Sequence, residues 1–182
     1  MTVTPLALPG VCLIEPQVYG DARGEFLETW NAERFAEAGI TARFVQDNLS
    51  VSRRFTLRGL HYQIRQAQGK LVRAVRGAVF DVVVDLRRSS PAFGQVTSLI
   101  LEAAVHRALW VPAGVAHGFL ALAEDTWVQY KVTDYWAPQW ERTLRWDDPA
   151  LAIPWPLPPG TKPLMSDKDR AGSMLAEAET FE

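Results

Sequence analysis

A chain of 182 residues is long enough for one domain with a sizeable core, or at most two small domains. Its 48% hydrophobic and 22% charged residues are those of an ordinary globular protein, and a formal charge of −2 offers no global attraction to nucleic acid or anionic lipid, which leaves only a local basic pocket open. Cys12 is the single cysteine, which excludes an intrachain disulfide and a cysteine zinc cluster.

The first five residues, Met1-Thr2-Val3-Thr4-Pro5, lack the basic start and apolar run of a secretion signal, and Asp81 and Asp85 interrupt the longest apolar stretch. The expected compartment is the cytoplasm. Residues 11–15 alternate weakly as a short strand, Gly20 to Gly24 form a turn, and residues 25–30 alternate again. Asn31 is placed to cap a short helix reaching Ala38, with Gly39 just past its end. Residues 44–52 alternate apolar with polar, so Gln46, Asn48, Ser50 and Ser52 share one face. That face either hydrogen-bonds a ligand or is solvated, and alternation alone does not choose.

Residues 70–86 carry the strongest strand signal, with a turn at Arg76-Gly77. Beyond it Val79, Asp81, Val83 and Asp85 point one way, and Phe80, Val82, Val84 and Leu86 the other. A carboxylate such as Asp81 inside such a run needs a partner. Further strands are expected at 95–101, 108–111, 115–122 and 127–132, divided by Gly, Pro and Asp turns. Pro154, Pro156, Pro158, Pro159 and Pro163 bar residues 153–163 from a central sheet and predict an extended surface strap. A polar tail with helical propensity follows from about residue 170. Many short strands with little helix argue one mainly β domain over residues 1–182, an antiparallel sandwich or barrel.

Two polar residues stand at the entries to buried-looking strands: His61 in Arg58-Gly59-Leu60-His61-Tyr62-Gln63, and Lys70 in Gly69-Lys70-Leu71-Val72. Such groups beside an apolar core form either a satisfied structural network, for instance a Lys70–Asp81 ion pair, or an active site. An imidazole and an ammonium together suit removal of a proton next to a carbonyl. His61, His106 and His117 offer no paired metal-binding spacing.

Pro112-Ala113-Gly114-Val115-Ala116-His117 resembles the second motif of the cupin superfamily. By the same resemblance Gln63 and Arg65 stand near the two histidines of the first motif, Lys70 replaces its glutamate, and Ala121 replaces a later asparagine. One of four metal ligands survives, which implies a metal-free cupin with a jelly-roll barrel and a few short helices. The wider pattern is more specific. Arg58 to Gln63, Gly69 to Val72, Val79-Phe80-Asp81-Val82, Ala116-His117-Gly118-Phe119, Tyr130-Lys131 to Tyr135-Trp136, and Leu164 to Asp169 occur in order. Together with Asp21 to Glu28 and Gln46-Asp47-Asn48, they resemble the dTDP-4-dehydrorhamnose 3,5-epimerase family over residues 10–170.

That resemblance implies epimerisation at C3 and C5 of a dTDP-4-keto-6-deoxyhexose, with no cofactor. His61 would be the base, Asp167 the carboxylate that orients it, Lys70 the group facing the enolate oxygen, and Tyr130 the proton donor. Arg23 and Arg58 would bind the diphosphate, and Phe26, Glu28, Gln46 and Asn48 match thymidine- and phosphate-contacting positions. Trp136, where relatives often carry tyrosine, would stack on the base. His117 and Asp81 would support the polar network. The resemblance also implies a homodimer with exchanged N-terminal strands, so that Arg23, Phe26 and Glu28 serve the neighbouring subunit. Open alternatives are a single-carbon epimerase, a non-catalytic sugar-nucleotide cupin, a metal-dependent cupin and a sugar 3,4-ketoisomerase.

Overall fold

The computed structural model describes residues 1–182. Its strands in chain order are β1 (Thr2–Pro5), β2 (Cys12–Glu15), β3 (Val18–Asp21), β4 (Gly24–Leu27), β5 (Gln46–Ser52), β6 (Leu57–Gln63) and β7 (Lys70–Arg76). β8 (Ala78–Asp85), β9 (Val96–Glu102), β10 (Ala108–Val111), β11 (Val115–Ala121), β12 (Thr126–Val132) and β13 (Glu141–Thr143) complete them. The two helices are α1 (Ala32–Glu37) and α2 (Asp167–Arg170). A six-stranded sheet in the order β1-β2-β10-β7-β12-β5 faces a five-stranded sheet in the order β13-β6-β11-β8-β9, and β3 and β4 form a separate hairpin. Every pairing is antiparallel, as expected of a cupin-type jelly roll.

The layers follow from which strand faces are apolar. Val72, Leu109 and Val128 of the larger sheet meet Val79, Val83 and Phe119 of the smaller one in the central core. The other face of β8, Val82 and Val84, joins Leu60, Leu86 and Leu144 in a second cluster. Ile153 and Trp155 of the proline-rich strap and Phe181 of the C-terminal tail cover that cluster. Both faces of β8 are thus dry, which explains its near-continuous apolar run. On the far side of the larger sheet, Ile14, Leu71 and Ala108 pack under Phe35 and Ile40. Phe35 comes from α1, whose second and third N–H groups are met by the Asn31 side chain, accepting from Glu33 and Arg34 at 3.1 and 3.2 Å. Gly39 past its end takes φ +85°.

Several expectations need correction. The strand expected over residues 25–30 is β4 and ends at Leu27, short of Trp30, which turns in to pack against Phe35 and Phe44. His61 stands near the end of β6 rather than at a strand entry, and β1, β3 and the three-residue β13, which pairs with β6, were not expected from the sequence. The polar tail takes up its helical propensity only as a 3-10 turn over Leu175–Glu177. Its backbone runs beside the smaller sheet, with Phe181 N–H donating to Leu86 O and Ser173 N–H to Thr143 O, both at 2.9 Å. No helix is long and apolar enough to cross a membrane.

Candidate active site

β6 carries His61, and its position depends on a close backbone approach. Gly59 has φ +114°, and a Cβ there would lie 2.6 Å from Gly118 Cα and 2.7 Å from His117 O. Glycine at both 59 and 118 lets β6 and β11 meet where their register shifts between His117 and Phe119. His61 then stands opposite His117. Lys70 begins β7 and Tyr130 lies on β12, both in the facing sheet. A cavity of about 610 Å³ opens among them, with His61, Lys70, Tyr130 and His117 all on its wall. Gln46, Asn48 and Ser50 line the same cavity, so the polar face of β5 is the inward one. Arg58 and Trp136 line it as well. A polar, open pocket of this size suits a charged ligand larger than a simple sugar.

The carboxylate beside His61 is Asp169. Asp169 Oδ1 lies 2.5 Å from His61 Nε2, whereas Asp167 pairs with Arg170 at 3.1 Å and is fully solvent-facing. The expectation for Asp167 is therefore displaced by two residues. Ser166 caps α2, and one turn of helix brings Asp169, not Asp167, round to the sheet. Asp169 is 4% exposed and is also held at Oδ2 by the Ser166 hydroxyl at 2.8 Å.

Burial pushes the His61 pKa down, outweighing the bond to Asp169, and the Lys168 and Lys70 ammoniums push the same way. Burial alone would raise the Asp169 pKa, but the His61 and Ser166 hydrogen bonds hold it below the usual carboxylate value. A neutral imidazole beside an ionised carboxylate satisfies both. Nε2–H then donates to Asp169, which leaves Nδ1 as the basic lone pair.

Lys70 is 6% exposed, and its Nζ donates to His61 O at 3.0 Å. Burial lowers its pKa to about 8, with Glu141 and Asp81 partly opposing. The Lys70–Asp81 ion pair, the structural alternative left open by the sequence, is not formed: Asp81, 0% exposed, instead holds His117 Nε2 with both oxygens at 3.0 Å. Burial raises the Tyr130 pKa, so the phenol is protonated at neutral pH. No group of three or more His, Cys, Asp or Glu side chains stands together as a metal site.

Two contributors escaped the sequence reading. Glu141 lines the cavity, pairs with Lys168 at 2.9 Å and accepts from Trp136 Nε1 at 3.4 Å. Its strand, β13, had no periodic signal. Lys168 comes from α2, beside the Asp169 that was also missed. Arg23, Phe26 and Glu28 are not brought to this cavity. Arg23 pairs with Asp21, Phe26 is 70% exposed, and Glu28 bonds Asn31 and Arg34.

Two facing sheets of a cupin-type fold, with His61 on one and Lys70 and Tyr130 on the other, and Asp169 of α2 set against His61, make a site suited to moving protons next to a carbonyl. The sequence profile of dTDP-4-dehydrorhamnose 3,5-epimerase matches residues 5–177. The epimerase of that name from Pseudomonas aeruginosa is 56% identical over 182 residues, covering 100% of this chain and 99% of its own. The Legionella pneumophila dTDP-6-deoxy-D-glucose-3,5-epimerase, solved with dTDP-4-keto-L-rhamnose, superposes with TM-score 0.93 at 46% identity, over 98% of this chain and 94% of that one. A 3′-monoepimerase from Streptomyces bikiniensis, solved with dTDP-quinovose, gives TM-score 0.88 at 36% identity over 95% and 87%. This chain belongs to the dTDP-4-dehydrorhamnose 3,5-epimerase family.

Proposed function

We propose that this chain converts dTDP-4-dehydro-6-deoxy-D-glucose to dTDP-4-dehydro-L-rhamnose by inverting C3 and C5. The observation that carries the reading is the placement of His61 on one sheet and of Lys70 and Tyr130 on the sheet facing it, around one cavity. The C4 ketone acidifies the hydrogens on both neighbouring carbons. His61 takes one of them, the C–H electrons form a C3–C4 or C4–C5 double bond, and the negative charge moves to the C4 oxygen. The Lys70 ammonium stabilises that oxygen, the kind of electrostatic contribution that is usually the largest single one in such sites. Tyr130 then delivers a proton to the opposite face, and the configuration inverts. His61 passes its proton to solvent and Tyr130 regains one, so the enzyme is reset with no redox change. Asp169 stabilises the imidazolium that forms in each cycle.

Arg58 supplies a guanidinium for the diphosphate, Gln46 and Asn48 supply amides for the nucleotide, and Trp136 supplies a face for the thymine. The solvent-facing Arg23 and Phe26 of the β3–β4 hairpin, with Glu28 just past it, act on the neighbouring site of a homodimer. The substrate is a nucleotide sugar, made where nucleoside triphosphates are, so the enzyme works in the cytoplasm.

Turnover in deuterated water tests the reading. Deuterium is expected at both C3 and C5 of the product, and His61→Asn should abolish exchange at both. Label at one carbon only would make the chain a single-carbon epimerase, the activity named for the Streptomyces bikiniensis neighbour. Binding of the sugar nucleotide without any exchange would make it a non-catalytic cupin.

A further inference from the structure

We propose that Gln63 is a positioning residue that sets the nucleotide end of the cavity by holding the loop that carries Trp136. The segment between β12 and the next helical turn, residues 133–137, belongs to no strand or helix; Gly69 holds Thr133 and Gln68 Nε2 reaches Asp134 O at 2.8 Å, but no backbone ladder continues past Asp134 to Trp136. Gln63, 3% exposed at the end of β6, supplies what a neighbouring strand would. Its Oε1 accepts from Ala137 N–H at 2.8 Å, and its Nε2 donates to Tyr135 O at 3.2 Å. Those are the two backbone groups on either side of Trp136. The side-chain amide therefore pairs with residues 135 and 137 as a peptide group pairs across a sheet, and it faces Trp136 into the cavity. The second amide hydrogen goes to Gln66 O at 2.7 Å, so each polar group of the side chain is used.

The chemistry at position 63 is restrictive. The loop needs a donor and an acceptor in one plane at this length from the backbone, and glutamine alone offers both. A glutamate keeps the acceptor but sets a carboxylate against two carbonyl oxygens, and a methionine keeps the volume but offers neither group. Because residues i and i+2 of a strand share a face, Gln63 and His61 project the same way from one rigid element. The base and the aromatic wall are thereby set in register, 610 Å³ of cavity being shared between them. Trp136 itself makes two further bonds, from its N–H to Gln46 Oε1 at 3.2 Å and from Nε1 to Glu141 at 3.4 Å.

The inference rests on the proposed stacking of the nucleotide base on Trp136, so the test measures dTDP binding by calorimetry apart from turnover. Gln63→Met and Gln63→Glu are compared with Trp136→Ala and with the Gln63→Met/Trp136→Ala double variant. Gln63→Met should raise the Kd for dTDP and the KM together by roughly tenfold, the scale of losing one stacked base. Its kcat and the pH profile of kcat should stay within about twofold of the parent, since a general packing defect would lower kcat as well. The double variant should bind no more weakly than Trp136→Ala alone, because both changes remove one interaction. Gln63→Glu, isosteric with the parent, should show the same rise if Gln63→Met folds poorly. An unchanged Kd in a folded Gln63 variant, a fall in kcat as large as the rise in KM, or full additivity in the double variant would overturn the assignment. If the parent protein itself fails to bind dTDP, the proposed function falls and takes this inference with it. If the parent binds and only the Gln63 variants are unaffected, the inference alone falls.

Discussion

His61 and Asp169 lie 108 positions apart in the chain and 2.5 Å apart in the structure. At the residue scale the cavity is decided by such pairings, and by how little water reaches them. Burial keeps His61 neutral, the form in which it accepts a proton, while Asp169 waits to stabilise the charge that results. Lys70 is the sharpest case. A lysine with a pKa of about 8 is charged at neutral pH, but it loses its proton well below the ordinary lysine value of about 10.4. Turnover should fall as pH rises through about 8, because the enolate oxygen then faces a neutral amine. Stability should move the other way. The unfolded chain binds more protons at Lys70 between pH 8 and about 10.4, so this residue's unfavourable contribution shrinks across that window. A pH–rate profile beside a pH series of melting temperatures checks both signs. Lys70→Met should be slower by roughly a hundred- to a thousandfold, the usual loss on removing an oxyanion donor, and should lack the alkaline limb. His61 and Lys70 could be singled out in the sequence because both interrupt apolar strands. Asp169 could not be separated from Asp167, since in a run of Ser, Asp, Lys and Asp only the turn of the helix tells which carboxylate faces inward.

Elements matter here for the angles at which they deliver those groups. α2 has four residues, far too few for a helix to persist by itself, and Ser166 is what starts it. The Ser166 hydroxyl accepts from Asp169 N–H at 3.2 Å and donates to Asp169 Oδ2 at 2.8 Å, so a single oxygen caps the helix and orients the carboxylate. Ser166→Ala should cost about 1 kcal/mol of stability as a lost cap and roughly tenfold in kcat/KM as a loosened Asp169. Ser166→Thr should restore most of both, and Asp167→Asn nearby should leave the rate within about twofold. Steady-state kinetics with thermal melts on the three variants would check this. The contrast between β5 and β13 shows what periodicity can carry. Seven alternating residues were enough to put Gln46, Asn48 and Ser50 on one face, although not to say that the face was inward. The three residues of β13 hold too little pattern to be seen, and Glu141 was missed with them.

For the whole molecule, the β3–β4 hairpin meets its own chain chiefly through Glu25, which bonds His106 at 2.8 Å, and leaves its larger side chains in solvent. Tyr19, Phe26 and the Arg23 side chain are 58%, 70% and 90% exposed, and the hairpin belongs to neither main sheet. If it completes the cavity of a second copy, two inactive variants should rescue each other. Arg23→Ala and His61→Asn subunits, mixed and allowed to exchange, should recover about a quarter of normal activity. Half the dimers would then be mixed, and one site in each would be intact. No recovery under conditions of proven exchange would assign the hairpin to its own subunit. Tyr130 became a candidate only through the family resemblance, whereas the residues by themselves determined the β class, the boundaries of most strands, the helix cap at Asn31, the proline strap and the candidacy of His61 and Lys70. Those follow from side-chain period and from local backbone chemistry, which neighbouring residues settle among themselves. Tertiary structure alone decided that Asp169 rather than Asp167 meets His61, that Asp81 belongs to His117 rather than to Lys70, and that Gln63 holds the Trp136 loop. Each of these is a contact between distant stretches. Hydrogen bonds and burial act through space, and the distance between such stretches is unknown until the sheets have closed around the core.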